Sequence, residues 1–363
     1  MKKKNIDRRL FIKGSAFAGL SGLLANGTIS EAMKPGTPSA LPDEKIPVEK
    51  IADQHLKLSY NRDGKFKILQ LTDTHYVSGD PLSVKALNNV NEMLDTEKPD
   101  LVIHTGDVIF GKPAEKSIRE ILEPISHRKI PFAVVFGNHD DEFDKTRREL
   151  YEIVRSIPYN ITSTTDGIYG LTNYIITLGT SDGQKTDRIF YMFDSNTYST
   201  IEGNKGYGYI HFNQINWYRN QSQYYTNTNG GNPIPALAFF HIPLPEQKEA
   251  ARDDGAFLTG TRSENVCPSD FNSGMFVSMK EMGDIQAMFL GHDHDNDYSL
   301  YWNNMFFIYG RFSGCDTVYN NLRPNGARVI ELKEGEKSFR SWIRLSGGSV
   351  IQDLKYPDDF IKR

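Results

Sequence analysis

Short β-rich runs recur through the middle of this chain, and each closes on a small polar cluster. Phe66 to Leu71 stops at Thr72-Asp73, Leu101 to His104 at Gly106-Asp107, and Pro131 to Phe136 at Gly137-Asn138-His139. Between them, Val84, Leu87, Val90 and Leu94 recur at helical spacing, as do Ile118, Ile121, Leu122 and Ile125. Strand–helix–strand–helix order predicts parallel strands with helical crossovers. Further on, Asn173 to Leu178 and Arg188 to Phe193 read as a paired hairpin, followed by a helix around Asn213 to Gln223. Two more apolar strands, Ala236 to Phe240 and Ile285 to Leu290, end at His241 and at Gly291-His292. The last part (Met305 to Tyr309, Arg328 to Leu332, Phe339 to Leu345) is mostly strand. The pattern predicts one α/β domain with two facing sheets.

Composition narrows this modestly. Hydrophobic content of 38% with 24% charged residues describes an ordinary globular protein. A formal charge of -4 lacks the basic excess expected where nucleic acid is the main partner. Residues 1–32 stand apart. Lys2, Lys3, Lys4, Arg8 and Arg9 precede a small, apolar run from Gly14 to Ala25, and Ser30-Glu31-Ala32 offers small residues for cleavage. Asp7-Arg8-Arg9-Leu10-Phe11-Ile12-Lys13 resembles a twin-arginine export signal, with an ordinary secretory signal as the alternative. The apolar run is too short for a stable membrane span. The expected product is exported, periplasmic or secreted, and its formal charge falls to -8 on loss of six Lys/Arg and two Asp/Glu. Residues 33–60 read as a flexible lead-in, 61–350 as the domain and 351–363 as a tail. Cys267 and Cys315 are the only cysteines, and in an exported protein they have the option of one disulfide.

The chemistry lies in where the polar clusters fall. Asp73, His75, Asp107, Asn138, His139, His241, His292 and His294 follow five strand ends, the place where loops of parallel α/β sheets converge on ligands. Carboxylate and amide oxygens with imidazoles suit Zn, Mn or Fe(II), and no thiolate set points to a structural zinc. Singly these fragments are common; five in order, each just past an apolar strand, are not.

The ordered set resembles the calcineurin-like metallophosphoesterase superfamily, closest to its small purple-acid-phosphatase-like branch. The motifs that carry the resemblance are Gly106 to Gly111, Phe136 to Asp140, Phe239 to Glu246, Gly291 to Asp297 and Gly326 to Leu332. The resemblance implies a four-layer α-β-β-α sandwich of two mixed sheets flanked by helices. It implies two divalent ions (Mn, Fe or Zn), one on Asp73, His75, Asp107 and His294, the other on Asp107, Asn138, His241 and His292. His139 would be the general acid, and a metal-bound hydroxide would attack the phosphate ester. One departure stands out: where the purple enzymes carry a ligating Tyr, this chain has Phe110, and His75 supplies the ligand they lack.

The expected substrate is a small phosphoester, a phosphoprotein or a nucleotide, with monoesters favoured. A phosphodiesterase and a non-catalytic metal-binding protein are the alternatives. Asp140 is expected to support His139 or solvate the loop. Asp293, Asp295 and Asp297 are expected to back the ligating imidazoles or to be solvated. Arg252, Arg262 and Arg311 could clamp a phosphate or sit in surface ion pairs. His104 is expected to be packed, while His55, His127 and His211 read as surface or structural. Specificity is expected in the loops Thr162 to Asp187 and Pro245 to Gly274.

Overall fold

The computed structural model describes residues 56–361, so the export signal, most of the lead-in and His55 lie outside the described residues. Strands β1 (Leu56–Ser59) and β2 (Lys65–Leu71) lead to α1 (Val84–Glu97), β3 (Leu101–Thr105), α2 (Ala114–His127) and β4 (Phe132–Val135). Helix α3 (Arg147–Arg155) precedes the hairpin β5 (Tyr174–Gly179) and β6 (Thr186–Met192), then α4 (Phe212–Thr228) and β7 (Ala236–Phe239). Next come α5 (Pro245–Ala250), β8 (Phe257–Thr259), α6 (Met275–Met282), β9 (Ile285–Leu290), β10 (Ser299–Trp302) and β11 (Met305–Tyr309). The chain closes on β12 (Gly326–Lys333), β13 (Phe339–Leu345), β14 (Val350–Tyr356) and α7 (Asp358–Ile361).

These strands build two mixed sheets, ordered β1-β5-β6-β7-β9-β11-β10-β8 and β14-β13-β12-β2-β3-β4. Side-chain alternation explains the layering. Ile68, Leu101, Ile103 and Ala133 meet Ile176, Phe190, Leu237 and Phe289 between the sheets. Their neighbours Leu69, Val102 and Val134 face outward onto Val90, Ile118, Ile121 and Val154 of α1, α2 and α3. Across the other sheet, Tyr191, Ala238 and Met288 pack on Trp217, Tyr218 and Met279 of α4 and α6. Strands covered on both faces need apolar residues at every position, hence the continuous runs. The fold is the expected four-layer α-β-β-α sandwich.

Two expected boundaries need correction. Leu56–Ser59, placed in a flexible lead-in, pairs in parallel with β5, and Val350–Tyr356, mostly placed in a tail, pairs with β13. Both are short edge strands with mixed polarity, so hydrophobic patterning gives them no signal. Cys267 is an exposed free thiol and Cys315 a buried one, so the optional disulfide is not formed.

Arg328 is a buried cation inside this apolar stack. Its Nε donates to Tyr309 O at 2.8 Å and its Nη2 to Asp297 O at 2.7 Å, stitching β12 to the opposite sheet. Arg328→Leu would strand two buried carbonyls, at roughly 1–3 kcal/mol each. A loss of about 3 kcal/mol in urea unfolding is expected; an unchanged midpoint would show that the guanidinium holds nothing.

Candidate functional site

Loops leaving β2, β3, β4, β7 and β9 meet at one end of the two sheets. Four residues in them adopt left-handed backbone: Asp73 (φ 53), His75 (φ 44), Asp107 (φ 52) and His292 (φ 81). Such angles cost on the order of 1–3 kcal/mol each and persist only where neighbours enforce them. Here the loops bind one another: Asp73 N donates to Gly106 O, His75 N to Asp107 O, and Tyr76 N to Val108 O. Asp140 closes the arrangement from below. Buried, it accepts from the amides of Asp107, Val108, Ile109 and Gly137. It therefore shapes the Asp107 loop and neither supports the His139 ring nor meets solvent. Gly137 has no room for a side chain, since a Cβ would stand 2.1 Å from Asp107 Oδ1.

Side chains converge as the sequence order predicts. Asp73, His75, Asp107 and His294 form one group able to hold a cation, and Asp107, His241 and His292 a second, with Asp107 common to both. Within them, His75 Nε2 lies 3.0 Å from His294 Nε2 and 3.6 Å from Asp107 Oδ2. His241 Nε2 lies 3.1 Å from the same Asp107 oxygen and 3.3 Å from His292 Nδ1. Burial holds His75 and His292 well below the ordinary imidazole range, so both present neutral rings. Burial also works against charge on His241, yet Asp107 and Asp73 outweigh it and push the ring up to about 9. Asp107 stays well below the carboxylate range despite burial, because His241 favours its charge.

Two imidazoles are oriented by backbone. His241 Nδ1 donates to Thr105 O at 2.8 Å and His294 Nδ1 to Tyr319 O at 2.9 Å, which turns each Nε2 inward. The expectation that Asp293, Asp295 and Asp297 would back these rings or be solvated is not met. All three are buried and hold other groups: Asp293 accepts from Tyr309 Oη and Cys267 N, and Asp295 from Asn321. Asp297 accepts from Arg311 Nη1 at 2.6 Å, so Arg311 is a buried structural cation with no hand free for a phosphate. Arg262 donates to Ala251 O, another structural use. His104 is packed, its Nε2 on Thr74 Oγ1 at 2.9 Å, and burial lowers it to about 3.

Does this set fit a pair of cations? Among the described residues the buried Asn138 Oδ1 has no hydrogen-bond donor, and the imidazole nitrogens that converge at 3.0–3.3 Å need a shared cation or proton between them. Oxygen and imidazole donors with one shared carboxylate match borderline divalent metals. The residues fit.

His139 is placed differently. Its amide donates to Asp107 Oδ1 at 3.0 Å, and its ring stands partly exposed at the mouth with Nδ1 2.8 Å from Glu142 Oε2. Tyr198 Oη donates to the other oxygen of Glu142 at 2.6 Å. Sequence reading missed both partners. Glu142 sits three residues after His139 and spacing could have found it; Tyr198 comes from beyond β6 and no local pattern points to it. The Tyr207 ring meets His292 edge-on at 4.4 Å, while Trp217 and Tyr218 pack in the core. Phe110 sits edge-on to His75 at 5.3 Å, an apolar wall where a ligating phenol would otherwise stand.

A sequence profile described as calcineurin-like phosphoesterase matches residues 66–296, which takes in every one of these loops. The chain belongs to that family. Among its relatives is "Probable inactive purple acid phosphatase 28" of Arabidopsis thaliana, 32% identical, with 80% of this chain and 83% of that protein covered. "Phosphatase DCR2" of Saccharomyces cerevisiae is 31% identical over 80% of this chain and 55% of its own length. A dimetal phosphatase from Danio rerio shares the fold with a TM-score of 0.56 at 12% identity, covering 80% of this chain and 98% of that one.

Proposed function

We propose that this family member is an active, exported phosphoesterase that uses two divalent metals and prefers monoesters. The observation that carries the reading is the complete donor set split by Asp107, with His139 standing beside it and outside it. Asp73, His75, Asp107 and His294 would hold one ion, and Asp107, Asn138, His241 and His292 the other. The ions, when bound, supply positive charge for the phosphoryl oxygens and acidify a water. The protein's part is positional. Thr105 O and Tyr319 O fix ring orientations, Asp140 fixes the Asp107 loop, and Glu142 holds Nδ1 of His139 so that Nε2 is left to deliver a proton to the departing oxygen. The name of the yeast relative, a phosphatase, supports hydrolysis of monoesters. The "inactive" of the plant relative's name is said of that protein; here no donor position is lost. Residues 1–32 support export, which N-terminal sequencing of the periplasmic or secreted protein would check.

The test is a side-by-side assay of p-nitrophenyl phosphate and bis(p-nitrophenyl) phosphate with Mn or Zn. Faster monoester turnover is expected. Preference for the diester would move the reading to a phosphodiesterase, and metal binding without turnover of either would leave a non-catalytic protein. Phe110 adds an optical expectation: with no phenolate beside His75, the metal-loaded protein should lack a strong visible charge-transfer band. A purple or pink sample would contradict the assignment of His75 in place of tyrosine.

A further inference from the structure

Beside the site lies a cavity of about 270 Å³, roughly the liquid volume of nine waters. Tyr169, Tyr198, Tyr209 and His211 line it with Asp141 and Arg147. It adjoins the reaction through two of these. Tyr198 Oη reaches Glu142, which holds His139, and Asn138 Nδ2 lies 3.5 Å from the same hydroxyl. Asp141 is two residues beyond His139. The cavity therefore opens next to the residues that hold the His139 ring.

The lining is aromatic and already ordered. His211 stacks between Tyr169 and Tyr209, with centroids 3.5 and 4.4 Å apart and planes within 12° and 8°. Tyr198 stacks on Tyr207. Even so, Tyr169 and Tyr198 are each 42% exposed. Rigid rings bind planar partners at small entropic cost. The charge pattern narrows the ligand further. Arg147, the one cation among the described residues of the lining, is consumed by Asp194, Asp141 and the carbonyls of Gly137 and Phe136. A second phosphate or an anionic headgroup would find no free cation among the described residues here and would face Asp141.

We propose that this cavity is the leaving-group subsite and that it selects phosphoesters of uncharged aromatic alcohols, with Tyr169 as a specificity residue. The proposal rests on the phosphoesterase reading above. Of the loops expected to set specificity, Thr162 to Asp187 contributes Tyr169, whereas Asn196 to Thr200 contributes a wall that sequence reading did not flag.

Tyr169 is exposed, so Tyr169→Ala should fold normally. For the metal-loaded protein, kcat/KM on 1-naphthyl phosphate is expected to fall roughly tenfold through KM, as loss of one aromatic contact of about 1.4 kcal/mol implies. Ethyl phosphate should stay within about twofold, and Tyr169→Phe should restore the aryl ester. An equal fall on both esters, or none on the aryl ester, overturns the proposal. Fluorescence titration of the metal-loaded protein with 1-naphthol, the leaving group itself, separates the two claims. Weaker binding by the alanine variant sustains the subsite even if wild type hydrolyses neither ester, which would sink only the hydrolytic reading. Equal binding by both proteins overturns the subsite.

Discussion

Replacing Asp107 by asparagine is expected to strip the purified protein of metal and to cut turnover about 10³-fold or more. The side chain is the one shared by both donor groups, and its Oδ2 stands 3.6 Å from His75 and 3.1 Å from His241. An amide keeps the shape, tolerates the left-handed backbone at this position and can still accept the His139 amide through Oδ1. What it lacks is the negative charge that two cations need from a bridging group. Losing several kcal/mol of transition-state charge stabilisation, at about 1.4 kcal/mol per factor of ten, gives the magnitude. Elemental analysis and circular dichroism on the same sample decide it. Retained metal with a native fold would show that neither ion depends on Asp107.

His139→Ala should do the opposite to metal and nearly as much to rate. The ring touches neither donor group through a ligand atom; it pairs with Glu142 and meets Phe110 edge-on at 5.0 Å. Metal content should therefore be unchanged. Turnover of an alkyl phosphate, whose leaving oxygen needs a proton, should drop about 10²–10⁴-fold. An aryl ester with an acidic leaving group should drop less, since its oxygen departs more readily without help. Equal rates for variant and wild type on the alkyl ester would show that His139 is not the acid.

The parts of this protein legible in its sequence are those where one physical constraint acts on neighbouring residues. Strands such as Phe132–Val135 and Ala236–Phe239 are buried on both faces and had to be written as apolar runs, so their ends, and the polar residues just past them, could be located. Edge strands β1, β8 and β14 carry no such burden and passed as lead-in, loop and tail. Helix α3 has a capping box at Thr146 and Glu149, a signal that was present and went unread. In the site, the residues that converge around Asp107 could be located because each follows a strand. Their supports could not, because Thr105 O and Tyr319 O are backbone atoms and leave no mark in residue types. The acids of Gly291 to Asp297 illustrate the converse. Their identity suggested imidazole partners, but Asp295 and Asp297 are spent on Asn321, Arg311 and Thr261, contacts made across 26, 14 and 36 residues. Chemistry encoded at strand ends is readable locally, and chemistry that depends on which loops meet is not.

On this reading one carboxylate, Asp107, divides a two-metal centre. Crystals of the metal-loaded protein, measured at the absorption edge of the bound metal, test it directly. Two anomalous peaks about 3.5–4 Å apart are expected, with Asp107 between them, His75 and His294 on one and Asn138, His241 and His292 on the other. A single peak, or none in protein that hydrolyses phosphate esters, would contradict it.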